Sequence, residues 1–535
     1  MKKTIIFIAL LLLSSFSLFA QHFTREQEQK LTRTLLAVSN LYVDSINTEK
    51  LIDNTIIAVL EELDPHSNYI PKDEVKRMSE PLDGSFEGVG IQFQMLEDTL
   101  LVVQVIAGGP SERVGILPGD RIVYIEEELV AGVKMMNTDI SKRLRGAKGT
   151  MVSVKIARRN VAELIEFKIT RDKIPIYSVD ATYMISNDIG YVKINNFGRT
   201  TIEEFRASLL KLKEKGMKDL VLDLQGNGGG YLRAAIDITD EFLKNDKLIV
   251  YTEGLNQPKS VSEATSVGDF EKGRLVVLID EYSASASEIV SGAIQDWDRG
   301  VLVGRRTFGK GLVQRELPLG DGSVIRLTTA RYYTPTGRSI QKPYKGGSEK
   351  YTKELLTRFE HGELQHRDSI RFSDSLQYET LQLHRTVYGG GGIMPDVFIP
   401  VDTARFTDYH RKIVAKGVLN KTVMHFIDDN RDALKRDYTD FETFKKNYAV
   451  DEAVMKNLIE NAESENITLN EEQYERSKAL IQLQMKALIA RDLWEMNEYY
   501  QIMAVENESL KKAVEILETK GAYNEILKPQ KKKTK

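Results

Sequence analysis

Three serines stand in the run Ser283-Ala284-Ser285-Ala286-Ser287-Glu288, directly after the apolar stretch Leu275 to Ile279. Ile289, Val290, Ala293, Ile294 and Trp297 follow at helical spacing, so the run opens a helix with one buried face. A hydroxyl at such a start has free amides and a partial positive charge beneath it, and both favour a developing anion. The plain alternative is a helix capped by Ser283, with two small residues in its first turn. A nucleophilic serine also needs a base. The histidines are His22, His66, His361, His366, His384, His410 and His425. None lies between 67 and 360, so a Ser–His pair needs a long reach. Lysine is the other option. Lys310 lies in Gly309-Lys310-Gly311, just after the serine helix. If 310–314 is a strand, Lys310 and Gln314 face the same side, and Gln314 orients the amine. Ser208-Leu209-Leu210-Lys211 also has Ser-x-x-Lys spacing, but it lies inside an amphipathic, charged helix.

Two glycine-rich loops bear on the same chemistry. Gln225-Gly226-Asn227-Gly228-Gly229-Gly230 lies between a predicted strand and a predicted helix, where backbone N–H groups point at an anion. As a dinucleotide loop it fails at Tyr231, which stands where helix and strand must pack closely. A structural turn and an oxyanion-binding turn remain, and the serine block favours the second. Gly304 to Gly311 approaches a phosphate loop. Gly311 replaces the Ser or Thr that reaches magnesium, and Leu312-Val313-Gln314 reads as strand rather than helix.

The elements that must position these residues follow from the rest of the chain. Its 535 residues predict roughly three to four domains. The formal charge of -4 gives no sign of a bulk nucleic-acid binder. The absence of cysteine excludes a disulfide framework, a thiolate nucleophile, Cys-ligated zinc and an iron–sulfur cluster. Lys2 and Lys3, the apolar run Ile5 to Leu13 and the small Ala20 predict a signal peptide over 1–20. That run rises about 13.5 Å as a helix, too short to span a bilayer. The expectation is an exported, periplasmic chain without an integral membrane segment after cleavage.

Residues 21–83 have helical periodicity, and Leu63-Asp64-Pro65-His66-Ser67 ends the second helix because Pro65 disfavours helix at Asp64. Residues 84–172 begin with a loop at Gly84 to Gly88 and switch to a period of two, predicting a module of short strands with one short helix stopping at Gly146. Over 173–402 strands alternate with helices, predicting a layered α/β core. Within it 345–388 is charged and poorly periodic, and reads as a surface insertion. Residues 403–528 read as a packed helix bundle, and 529–535 as a basic tail.

With these motifs together, the chain resembles the C-terminal processing peptidases, the tail-specific protease family. The matching segments are Asp64-Pro65-His66-Ser67, Gly88-Val89-Gly90-Ile91, Leu117-Pro118-Gly119-Asp120, Arg145-Gly146, Asp223-Leu224, Gly229-Gly230, Ser283 to Glu288, Gly309-Lys310-Gly311 with Gln314, and Gly392 to Asp396. The resemblance covers about residues 30 to 400. It implies a crotonase/Clp-protease-like α/β peptidase core with an inserted PDZ domain, between helical N- and C-terminal regions. It implies Ser285 as nucleophile, Lys310 as base and Gln314 as the residue orienting the lysine. It puts the oxyanion hole at the amides of Gly229 (or Gly230) and Ala286, and gives Asp296 a structural place. Where the family often has Arg-Asn-Asn-Pro-Gly-Gly, this chain has Gln225 to Gly230, and losing the proline frees the turn.

The expectation is therefore an exported serine endopeptidase that needs no metal or cofactor. Its PDZ module holds a substrate C-terminus as an added strand, with the carboxylate on the amides of Gly88, Val89, Gly90 and Ile91. Its partners are protein and peptide substrates, not nucleic acid, and a homodimer is left open. Arg145 has two readings, a latch between module and core or a cation helping its own helix dipole. The competing function is a noncatalytic PDZ scaffold whose Ser285 and Lys310 never meet.

Overall fold

The computed structural model describes residues 23–529, so the predicted leader at 1–20 and residues 530–535 of the tail lie outside it. A six-stranded sheet forms the centre, in the order Val179–Met184, Ile189–Ile194, Asp219–Asp223, Leu275–Ile279, Val301–Gly304, Val397–Phe398. The first pair is antiparallel and the rest are parallel. The middle strands are apolar at nearly every position because both faces are covered. Leu220, Leu222, Val277 and Ile279 face the helices Thr201–Glu214, Leu232–Asp240 and Ala286–Asp296. Val221, Val276, Leu278, Val301 and Val303 face the opposite way, onto Leu510, Ala513, Ile516 and Leu517 of the helix Glu508–Glu518. A helix from the far C-terminus thus completes the second layer of the core.

A second sheet of five strands holds the hairpin Leu312–Pro318 and Val324–Tyr333, with Leu248–Gly254, Gln257–Glu263 and the short strand Asn68–Ile70. Asn68–Ile70 brings the N-terminal turn Asp64 to Ser67 against this hairpin. Asp64 accepts from the Ser67 hydroxyl at 2.7 Å and the Thr328 hydroxyl at 3.1 Å, which fixes the turn.

The PDZ-like module has the strand order Ile91–Leu96, Thr99–Val105, Arg121–Ile125, Met151–Ala157, Ile165–Thr170, with the helix Asn137–Leu144 packed over it. Its core is Leu100, Val102, Ile122, Ile140, Val152, Val154 and their neighbours. Gly84 to Gly88, expected as a loop, contains the strand Ser85–Gly88, which pairs with Asp172–Pro175 where the chain returns to the core. Polar Ser85 and Glu87 hide this strand from a hydrophobic-alternation test.

The segment 345–388 lies largely at the surface, as its composition predicts, but is anchored by a few buried side chains. It forms the helices Ser348–Thr352 and Glu354–Glu360, with Tyr351 and Arg358 buried. Arg358 donates to the carbonyls of Arg306 at 2.7 Å and Thr307 at 3.2 Å, so the charge that suggested exposure satisfies buried backbone instead.

Candidate active site

The chain leaves the buried strand Leu275–Ile279, turns, and enters the helix Ala286–Asp296, every residue of which is buried. Ser285 stands at the turn with φ 54° and ψ -110°. For a residue with a Cβ this conformation costs about 1–3 kcal/mol and persists only where its surroundings over-determine it. They do so through Glu288. Its fully buried carboxyl accepts from the amides of Ser285 at 2.8 Å, Gly309 at 2.7 Å and Lys310 at 2.9 Å, and from the Thr307 hydroxyl at 2.5 Å. One carboxyl therefore joins the serine turn to the lysine loop. Burial pushes its pKa up, and these donors pull it back.

The neighbouring serines have other work. The Ser283 hydroxyl donates to the Leu224 carbonyl at 2.8 Å and accepts from the Asp280 amide at 2.9 Å. The Ser287 hydroxyl donates to the Asn227 carbonyl at 2.9 Å. Both are wholly buried, whereas Ser285 lines a cavity of about 550 Å³.

Lys310 lines the same cavity. Its amine donates to Gln314 Oε1 at 2.9 Å, and Gln314 Nε2 donates in turn to the His66 carbonyl. The expected strand over 310–314 begins later, at Leu312, and its register slips between Val313 and Gln314. A bulge re-aims a side chain in this way, and Gln314 meets Lys310 although simple alternation does not hold. The Tyr332 hydroxyl lies 2.7 Å from the Lys310 carbonyl and 3.1 Å from the Ser285 carbonyl, tying the two loops again. Burial lowers the Lys310 pKa, and the charge of Arg326 lowers it further, against Glu288 and Asp64. His66 is held neutral down to a pKa of about 4, by burial first and then by the Lys310 charge, and its Nε2 lies 2.7 Å from the Tyr351 hydroxyl.

The glycine turn forms the other wall. Gly228, Gly229, Gly230 and Ala286 line the cavity with Ser285. A Cβ on Gly229 would stand 2.8 Å from the Ser285 Cβ, and one on Gly230 would stand 2.2 Å from the Phe197 carbonyl oxygen, so only glycine fits either place. The Gly229 amide donates to Asn227 Oδ1 at 2.8 Å. The amides of Gly230 and Ala286 have no acceptor among the described residues. Of the two glycines left as alternatives, Gly230 is thus the one with a free N–H. The missing proline is offset by Asn227, whose Nδ2 donates to the Ile194 carbonyl at 2.9 Å, and by Asp280, which accepts from the Gly226 amide at 2.9 Å. Asp296 lies away from this cavity, in a buried ion pair with Arg338 at 2.7 Å. The strand Leu312–Pro318 follows Gly311 where a phosphate loop would open a helix, and Ser208 donates to the Glu204 carbonyl inside its own helix.

In the PDZ-like module, Ile91–Leu96 is an edge strand. Just before it, the Val89 carbonyl accepts from Ser111 and the Gly90 carbonyl from Ile106, while the amides of Val89 and Gly90 have no acceptor among the described residues. Gly88 belongs to the preceding strand, and Ile91 begins the edge strand. Among the described residues the Arg145 side chain makes no hydrogen bond to its own helix end. Arg171 does, donating to the carbonyls of Arg143 at 2.8 Å and Leu144 at 3.1 Å. Arg145 instead pairs with Glu80 on the helix Lys72–Asp83, its guanidinium 4.7 Å from the Phe86 ring.

Sequence reasoning passed over Glu288, Tyr332, Arg326 and Asn227. Glu288 and Asn227 sat in motifs already singled out, but their roles need a distant partner. Nothing in local sequence marks Arg326.

Comparison with known proteins bears on this geometry. Peptidase family S41 matches residues 188–347, a span holding both Ser285 and Lys310. A PDZ domain matches 88–169, and a family of unknown function matches 409–495. The carboxy-terminal-processing protease of Bartonella bacilliformis is 37% identical over 353 residues, covering 64% of this chain and 80% of that one. This chain belongs to the carboxy-terminal-processing proteases of peptidase family S41. It is a serine-type peptidase with a PDZ domain. The carboxy-terminal processing protease CtpB of Bacillus subtilis is 36% identical over 317 residues, 58% of this chain and 65% of its own. Among solved structures, the photosystem II D1 C-terminal processing protease is 28% identical, covering 59% of this chain and 90% of that one with a TM-score of 0.34.

Proposed function

We propose that this chain is an exported serine endopeptidase that recognises protein C-termini through its PDZ domain and cleaves by a Ser285–Lys310 acyl-enzyme mechanism. The observation that carries this reading is a half-buried lysine amine in one cavity with a strained serine at a helix start. Burial and Arg326 favour the neutral amine, the form that accepts a proton. Ser285 Oγ adds to the scissile carbonyl carbon as its proton passes to Lys310 Nζ. The carbonyl oxygen, now an oxyanion, accepts from the Gly230 and Ala286 amides. The Lys310 ammonium then protonates the departing amine, leaving an ester on Ser285. Water adds to that ester, giving a proton to Lys310, and the Lys310 ammonium returns it to Ser285 Oγ as the ester C–O bond breaks, releasing the acid and restoring the serine and the neutral amine. Gln314, fixed by the His66 carbonyl, holds the amine in place through both halves. Ile289, Leu232 and Val313 offer a substrate side chain an apolar wall.

The free amides beside the edge strand Ile91–Leu96 support capture of a substrate carboxylate, with the tail added as a further strand. The leader pattern at 1–20 supports export. Incubation with an unfolded test protein checks the catalytic part. Cleavage is expected for the wild type and is expected to be lost in Ser285→Ala. A chain that binds peptide tails but cuts nothing would instead be a PDZ scaffold.

A further inference from the structure

The turn carrying Gly230 has a hollow behind it. A second cavity of about 390 Å³ lies between Gln225 and Gly226 on one side and the helices Met496–Met503 and Glu508–Glu518 on the other. Filled space usually fixes a loop; here polar contacts cross the gap. From the core, Lys193 donates to the Gln225 carbonyl, and Asp280 accepts from the Gly226 amide at 2.9 Å. From the C-terminal helices, Asn507 Nδ2 donates to Gln225 Oε1 at 2.8 Å. Asn507 is itself anchored. It caps the helix Glu508–Glu518, its Oδ1 accepting from the Leu510 amide at 3.1 Å, and that helix is buried against the core sheet.

The segment Gly226-Asn227-Gly228-Gly229-Gly230 has four glycines in five residues, so it takes its shape from its contacts rather than from its own preferences: those of Asn227 and Asp280, the Phe197 amide donating to the Gly229 carbonyl at 3.0 Å, and, at its entry, those of Gln225. An oxyanion donor is effective only when it is held in place before charge develops. We propose that Asn507 is a positioning residue for the hydrolysis, holding the turn through Gln225 so that the Gly230 amide meets the oxyanion. This rests on the Ser285–Lys310 reading above. It makes the C-terminal helices part of the support of the active site.

The test separates the contact from the cap. Ser, Asp and Asn cap helices about equally. Asn507→Ser keeps the cap but is too short to reach Gln225, whereas Asn507→Asp keeps the cap and accepts from Gln225 Nε2 once that amide turns over, giving up its 3.5 Å contact with the Ser509 hydroxyl. Both variants are therefore expected to unfold at matching temperatures. On a short peptide substrate, Asn507→Ser is expected to lose about tenfold in kcat with KM little changed, the signature of an interaction made in the transition state. Asn507→Asp is expected to recover to within about twofold of wild type. Gln225→Ala combined with Asn507→Ser is expected to be no slower than either alone, since the two act as one contact. Full kcat in Asn507→Ser, or an Asn507→Asp as slow as Asn507→Ser, overturns the inference while leaving the protease intact. A wild type that neither cleaves nor reacts at Ser285 overturns the catalytic reading, and this inference with it.

Discussion

Lys310 is the residue whose protonation sets the pH behaviour. A free lysine of pKa about 10.4 is neutral in only about one copy in 2,500 at pH 7. The groups facing it are Arg326 on the cavity wall, Glu288 on the serine helix, and Asp64 and His66 in the N-terminal turn. Activity is expected to rise with pH as Lys310 loses its proton, with a midpoint below that of a free lysine. Arg326→Gln removes a positive charge that disfavours the ammonium, so the acid limb of kcat/KM is expected to move to higher pH. An unmoved or lowered limb would show that Arg326 does not tune the base. Lys310→Arg is expected to be as inactive as Lys310→Ala, since arginine stays charged. The flanking serines give a different outcome from Ser285. Ser283→Ala leaves the Asp280 amide and the Leu224 carbonyl short of a buried partner, so a stability loss of about 1–3 kcal/mol is expected by denaturant titration. The nucleophile is untouched, and folded Ser283→Ala is expected to keep cleaving.

At the scale of elements, side-chain pairs tie the PDZ domain to the parts of the chain around it. The Arg145–Glu80 pair is one of them, between the end of the helix Asn137–Leu144 and the helix Lys72–Asp83. Glu80 is nearly buried and Arg145 half-exposed, so Arg145→Ala strands a carboxylate rather than removing a surface pair. If the pair couples the PDZ domain to the core, tail peptides are expected to bind Arg145→Ala as tightly as wild type, while cleavage falls by about tenfold or more. Unchanged cleavage would reduce the pair to packing. Tail recognition has its own check in the full Ser285→Ala chain. Peptides amidated at the C-terminus lose charge-assisted hydrogen bonds, and are expected to bind at least about tenfold more weakly than the free acids. Equal binding would remove carboxylate recognition. These elements were unevenly legible. Leu275–Ile279 and the PDZ strands announce themselves by apolar runs and alternation. The strand Ser85–Gly88 does not, because its partner Asp172–Pro175 is far away in sequence, and the bulge before Gln314 shows only in the register against the other strand of its hairpin.

At the scale of the whole molecule, the sequence after 403 carries no motif and predicts only a helix bundle. Its placement followed from tertiary packing that periodicity does not encode. Leu510, Ala513, Ile516 and Leu517 cover the sheet face made by Val221, Val276, Leu278, Val301 and Val303. Asp428 pairs with Arg121 of the PDZ domain at 2.6 Å, and Met424 packs on Leu96, Leu101 and Val103. Each large apolar side chain left uncovered loses about 1.5–3 kcal/mol of burial. A chain truncated after Val401 is therefore expected to be insoluble or unfolded by circular dichroism. A soluble, active 21–401 fragment would show that the helices are dispensable. The site was legible in another way. Ser285, Lys310 and Gln314 could be named because their chemistry recurs in a recognisable spacing. Glu288 and Asn507 could not, since a carboxylate or an amide acquires meaning only from what it touches.

The central claim is that Lys310 activates Ser285, and covalent labelling tests it most directly. The wild-type chain is treated with a fluorophosphonate across a range of pH, and the modified peptide is identified by mass spectrometry. The account predicts one adduct, on Ser285, whose rate of formation rises with pH, is lost in Ser285→Ala and collapses in Lys310→Arg. An adduct on Ser283 or Ser287, or labelling of Ser285 at an undiminished rate in Lys310→Arg, would contradict it.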